Sequence, residues 1–140
     1  MFYKVVEDTI VIRLEKNEDV IEAVEKICEQ EHVTLGYVTG IGAVNHVVMG
    51  LFATEEQKYY TKEYRGDFEI AALVGNITTQ KSKIYSHLHI TITNSVEEVV
   101  YGGHLNKAIV SATAEIFIKT LKGVVEREFS DEIGLNLMCL

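Results

Sequence analysis

The sequence predicts an α+β domain in which one or two helices pack on a mainly antiparallel β-sheet. Three observations lead there. Only one segment, residues 17–31, carries apolar residues at helical spacing over a helix-length run. From Val33 onward the apolar residues alternate or cluster in short runs rich in Val, Ile, Thr and aromatic side chains, as in strands. The 140 residues include ten glycines and no proline, so turns fall to Gly, Asn, Asp and Thr, and no Pro-rich linker divides the chain. Residues 1–140 are therefore expected to form a single domain.

Phe2 to Glu7 and Thr9 to Leu14 read as two short strands broken near Asp8. In the second, Ile10, Ile12 and Leu14 alternate with Thr9, Val11 and Arg13, which leaves one face uniformly apolar. Asn17 to Glu31 reads as the helix. Asn17 suits the N-cap, Glu18 and Asp19 favour the positive end of the dipole, and Val20, Ile21, Ala23, Val24, Ile27 and Cys28 supply a buried stripe. Val33 to Thr39 follows as a strand. Gly40-Ile41-Gly42 then reads as a flexed bend leading into Ala43 to Ala53. No helix N-terminus follows this Gly-x-Gly to receive an anion, so a bulge or a close strand crossing accounts for it better than phosphate binding.

Gln57 to Tyr64, Phe68 to Thr78 and Lys83 to Thr93 read as further strands, with turns at Arg65-Gly66-Asp67 and Thr79-Gln80. Val110 to Thr120 and Val124 to Phe129 complete the expected sheet. Leu135 to Leu140 is an apolar tail suited to an interface or a last core strand.

Composition narrows the function classes. The formal net charge is −8 and the pI about 5.1, which repels polyanions, and no run of Lys or Arg offsets it. No apolar run approaches the ~18–20 residues of a membrane span, and the N-terminus lacks a charged segment followed by a long apolar one. Cys28 and Cys139 read as reduced thiols. The expected compartment is the cytoplasm.

The residues best suited to chemistry are His87, His89 and His104, three of the five histidines, within eighteen residues. If Ile84 to Thr93 is a strand, Ile84, Leu88, Ile90 and Ile92 share one face with Ser86. Tyr85, His87, His89, Thr91 and Thr93 then project from the other. Residues two apart on a strand are about 6.6 Å apart with parallel side chains, within reach of one ion held ~2.0–2.1 Å from each nitrogen. Gly102-Gly103 would let the backbone bring His104 to the same place. Three histidines with an open fourth position are the ligands of catalytic zinc, so zinc or another divalent transition metal is the cofactor they would hold. The alternative is that the imidazoles hydrogen-bond to backbone or carboxylates on a partly buried surface. Arg13, Glu115, Thr91, Gly102 and Gly103 are the residues that could anchor a ligand or steady the rings. Glu115, a carboxylate in an apolar strand, could orient a histidine, act as a base or pair with Arg13. His32, just past the helix, reads as a structural cation at the negative end of the dipole.

Several segments together carry a family resemblance. They are Val11-Ile12-Arg13-Leu14, Gly40-Ile41-Gly42-Ala43, Gly66-Asp67-Phe68-Glu69-Ile70, Leu73-Val74-Gly75-Asn76-Ile77, His87-Leu88-His89-Ile90, Gly102-Gly103-His104-Leu105 and Thr113-Ala114-Glu115-Ile116. Almost end to end, the chain resembles the plants-and-prokaryotes-conserved (PPC) domain, and the ordered His-Leu-His and Gly-Gly-His-Leu pair is the specific part. The resemblance implies an α+β fold, a homotrimer, and three motif histidines near one another close to a subunit boundary. In plant relatives the domain follows an AT-hook with an Arg-Gly-Arg-Pro core that enters the minor groove of A·T-rich DNA. This chain has no such core, and its only Arg-Gly precedes Asp67, so DNA binding does not carry over by that route. Plant domains associate through Gly-Arg-Phe-Glu-Ile, where this chain has Asp67 at the second position. Three functions remain open: a homotrimeric PPC protein with a histidine-lined metal or small-ligand site, a DNA-associated regulator by family analogy, or a metal-dependent hydrolase using Glu115 as base.

Overall fold

The computed structural model describes residues 1–140. Its one helix, α1 (Val20–Gln30), follows β1 (Phe2–Val6) and β2 (Thr9–Glu15). Then come β3 (Gly36–Ala53), β4 (Lys58–Gln80), β5 (Lys83–Asn94), β6 (Val99–Thr120), β7 (Arg127–Ser130) and β8 (Leu135–Met138). The first six strands form one antiparallel sheet in the order β1-β2-β6-β3-β4-β5. Because β5 also pairs with the start of β6, strands β3 to β6 close on themselves like a small barrel. Strands β7 and β8 pair only with each other.

The core follows from strand parity. Ile12, Ile116, Gly40, Leu73 and Ile90 are successive cross-strand partners on β2, β6, β3, β4 and β5. The four apolar members of that row are buried on the inner face. Helix α1 covers this face with Val20, Val24, Ile27 and Cys28, none of which retains exposed surface. An amphipathic helix this short draws its stability mainly from such burial rather than from propensity. Gly40 and Gly42 let β3 press against β6. A Cβ on Gly42 would sit 2.6 Å from both Ala114 Cα and the Thr113 carbonyl oxygen, and the register slips between these glycines. The Gly-x-Gly is thus a bulge at a close crossing inside one long strand, not a bend between two.

Other boundaries differ from the expectations. The helix starts three residues later than Asn17, and Asp19 is its cap. The Asp19 carboxylate accepts the Ile21 and Glu22 N–H groups at 2.8 and 3.2 Å. Asn17 has φ 73°, and its N–H donates to the Val110 carbonyl. A short acidic side chain beside the helix dipole outcompetes a neutral one already committed to a turn. Arg65-Gly66-Asp67 is not a hairpin turn. It lies inside β4, where pairing slips from Val44–Phe68 to His46–Arg65, and Gly66 at φ 134° accommodates the bulge. The following turn is Lys81-Ser82, both at positive φ, rather than Thr79-Gln80. Strand β6 begins at Val99, not Val110, so Gly102-Gly103 is strand and not loop. The 124–129 segment leaves the sheet to form the β7–β8 hairpin, which takes in most of the apolar tail. No helix is long and apolar enough to cross a membrane.

Candidate metal centre

Strands β5 and β6 build the site. Leu88, Ile90 and Ile92 point into the core, so His87 and His89 must point outward, and they do. The β5–β6 register places His104 directly opposite His89. His87 is one pleat further along, across from Asn76 on β4. The three rings cluster with centroids 5.3 Å (His87–His89), 4.9 Å (His87–His104) and 5.5 Å (His89–His104) apart. One nitrogen from each can be chosen so that all three lie within 4.8 Å of one another.

Two glycines permit this approach, though by close packing rather than by bending the chain. A Cβ on Gly103 would stand 2.9 Å from the Gly50 carbonyl oxygen, and one on Gly50 would meet the Tyr59 ring at 2.4 Å. Tyr59 thereby lies over the strand pair and meets His104 edge-on, centroids 5.9 Å apart. Its hydroxyl donates to Asn106 Oδ1 at 2.6 Å, which fixes the ring. Gly102 pairs with Thr91 one pleat from the His89–His104 pair, so both flank the cluster.

Burial favours the neutral form of two of the rings, His87 and His104. Burial, followed by the neighbouring His104, Arg127 and His89, pushes His87 down to about 4. Burial and His89 lower His104 as well. Neutral imidazole is the form that donates a lone pair to a metal. A tetrahedral ion ~2.0–2.1 Å from each nitrogen sets the nitrogens about 3.4 Å apart, so the rings need to close by up to about 1.4 Å. The donor set fits zinc.

Arg13 and Glu115 do not belong to this cluster within the chain. They are cross-strand partners on β2 and β6, eleven residues from His104 along β6 and four strand pairings away around the sheet. Glu115 is exposed, and Arg13 sits 3.5 Å from Glu15 and over the Phe2 ring. The extended length of β6 is what separates them.

The β7–β8 hairpin adds to the site a residue that no sequence pattern marks. Arg127, 6% exposed, donates from Nε to Thr78 Oγ1 (2.8 Å), from Nη1 to the Asn136 carbonyl (2.9 Å) and from Nη2 to Asn76 Oδ1 (3.0 Å). Its guanidinium also stacks 4.8 Å from the Tyr85 ring centroid. Arg127 and the three histidines line one cavity of about 690 Å³, walled further by Tyr59, Leu51, Leu135 and Leu137. Nothing in Glu126-Arg127-Glu128 singles that arginine out, because its role depends on where the hairpin folds back.

Fold and site together define a single-helix antiparallel β domain with an imidazole triad on its outer wall. The chain belongs to the Plants and Prokaryotes Conserved (PCC) domain family, whose model matches residues 1–122. Hairpin residues 127–138 lie beyond that match. Among solved structures, a metal-containing protein from Archaeoglobus fulgidus is 31% identical, with TM-score 0.89 and coverage of 99% of this chain and 97% of that one. A protein from Bacteroides thetaiotaomicron described as a candidate DNA-binding protein is 26% identical, with TM-score 0.95 over 99% and 96%. A plant- and prokaryote-conserved protein from Pyrococcus horikoshii is 28% identical, with TM-score 0.87 over 99% and 95%. No curated protein matches the sequence.

Proposed function

We propose that this protein binds a divalent transition metal, zinc foremost, through His87, His89 and His104. The observation that carries the reading is the convergence of three ring nitrogens to within 4.8 Å from two strands. The metal-containing relative from Archaeoglobus fulgidus supports it. Three imidazole ligands would leave a coordination position facing the cavity, where a bound ion would supply Lewis acidity. The test is metal analysis of protein purified without an affinity tag. About one zinc per chain is expected, and protein that neither carries metal nor changes its melting on zinc addition rules the reading out.

A hydrolase reading is weaker, because none of the residues lining the cavity is Asp or Glu. DNA binding, suggested by the description of the Bacteroides relative, is opposed by the charge of −8. A trimer would triple that charge to about −24.

A homotrimer is part of the proposal. The outward face of the sheet exposes Tyr37, Ile41, Val74 and Phe117, and Val74 pairs directly with His89. Large apolar residues grouped on one face are typical of association surfaces, and this face borders the triad. Light scattering at micromolar concentration is expected to give three times the 15.7 kDa chain mass. We assign the protein to the cytoplasm, where both thiols, neither in a disulfide, would stay reduced.

A further inference from the structure

Arg127 is a buried cation without a counter-ion. Its three hydrogen-bond partners are a hydroxyl, a side-chain amide oxygen and a backbone carbonyl, all neutral. None of the ion pairs in the protein includes it. A guanidinium has five N–H groups, so two remain beyond those three bonds. Burying such a charge is costly unless an anion compensates it. Its link to the triad is direct, since Asn76, which receives Nη2, is the cross-strand partner of His87.

The shared cavity is large enough for a small molecule, within the roughly 300–1,000 Å³ usual for such sites. One part of its wall is cationic or metal-ligating, and Leu51, Leu135 and Leu137 make another part apolar. With no carboxylate lining it, nothing in the chain neutralises Arg127 or would neutralise a bound ion.

We propose that this cavity takes a small organic oxyanion, a carboxylate or phosphate monoester. Its head group would lie between Arg127 and the histidines and its body on the leucines. The inference rests on the metal reading in that the head group would also fill the open coordination position. Planar guanidinium matches either head group in two-point fashion, which a lone ammonium does not. Arg127, the residue that would make the pocket anion-selective, lies beyond the family match, on the β7–β8 hairpin.

The test uses zinc-supplemented full-length protein, with zinc content measured alongside titration calorimetry and thermal melting. The probes are benzoate, phenyl phosphate and neutral benzyl alcohol. One or both anions should bind saturably and raise the melting temperature while benzyl alcohol does neither, and the tighter anion identifies the head group. Arg127→Gln should keep its zinc yet bind the anion at least tenfold more weakly. Because Arg127 also holds the hairpin, Leu137→Glu serves as a second variant. That position is exposed and tolerates the change, and its carboxylate should repel the probe equally. Equal binding of benzyl alcohol and benzoate, no anion binding by zinc-bearing protein, or undiminished binding in Leu137→Glu would each overturn the proposal. Arg127-dependent anion binding by protein that holds no zinc would support the oxyanion pocket and refute the metal reading.

Discussion

His89 on β5 and His104 on β6 are cross-strand partners whose rings stand almost perpendicular, centroids 5.5 Å apart. Only the closure of β5 onto β6 creates this pair, so the site exists because the sheet turns back on itself. Removing either ring should leave the sheet intact, since both project away from the core. His89→Ala and His104→Ala are each expected to weaken zinc binding by tenfold or more, with melting of the metal-free protein little changed. His32→Ala, past the end of α1, should bind zinc as the wild type does. Zinc stoichiometry after dialysis against a weak chelator checks all three, and full retention by both triad variants contradicts the ligand assignment.

Gly103→Ala tests the close packing beneath the triad. The added methyl would lie 2.9 Å from the Gly50 carbonyl oxygen, a backbone atom that moves only if the strands part. Overpacking of this kind typically costs about 1–3 kcal/mol. The same displacement would carry His104 away from His89, so zinc affinity should fall with stability. Urea denaturation and a zinc titration on one preparation measure both. Unchanged stability would show that β3 and β6 have slack the structure does not contain.

Parity made half of the site legible in the sequence. The alternation of Leu88, Ile90 and Ile92 with His87, His89 and Thr91 requires only that β5 be a strand with one buried face, and this is a local property. The meeting of His104 with His89 is not local, because it depends on register between strands joined by a loop and on the closure of the barrel. Arg13 and Glu115 show the reverse. Their pairing is real, but β6 carries Glu115 eleven residues past His104, to a different part of the sheet. Arg127 was illegible because its partners Thr78 and Asn76 are about fifty residues distant. Long strands β3 and β4 each read as two pieces in the sequence, divided near Gly42 and Gly66, because glycine marks a bulge and a turn alike.

The two cysteines should differ sharply in reactivity. Cys28 is fully buried on the inner face of α1, and burial, with smaller contributions from Glu25 and Glu29, pushes its thiol up to about 12 from an ordinary 9.0. Cys139 is exposed. In native protein at pH 8, iodoacetamide should label Cys139 alone, and Cys28 only after unfolding. The pH effect has a definite sign. Below pH 9 the Cys28 thiol is protonated in both states and its burial costs nothing in ionisation. Between 9 and 12 the unfolded thiol loses its proton while the folded one keeps it, so stability falls by about 1.4 kcal/mol per pH unit from this group. Cys28→Ala should show a shallower alkaline decline than wild type in parallel denaturation series. Identical slopes would mean that the folded thiol ionises normally.

The start of α1 offers the cleanest comparison of two neighbouring residues. Asp19 accepts both the Ile21 and Glu22 N–H groups, donors that would otherwise lack partners in the first turn. Asp19→Ala should therefore cost about 1 kcal/mol, within the 0.5–2 kcal/mol range for lost caps. Asn17 makes no cap and stands at φ 73°, a conformation that glycine adopts without strain. Asn17→Gly should accordingly be neutral to within about 0.5 kcal/mol. A loss well below about 0.5 kcal/mol for Asp19→Ala in chemical denaturation would contradict the cap assignment. A loss confined to Asp19→Ala, with helical circular dichroism fraying at its N-terminal turn, fixes it at Asp19.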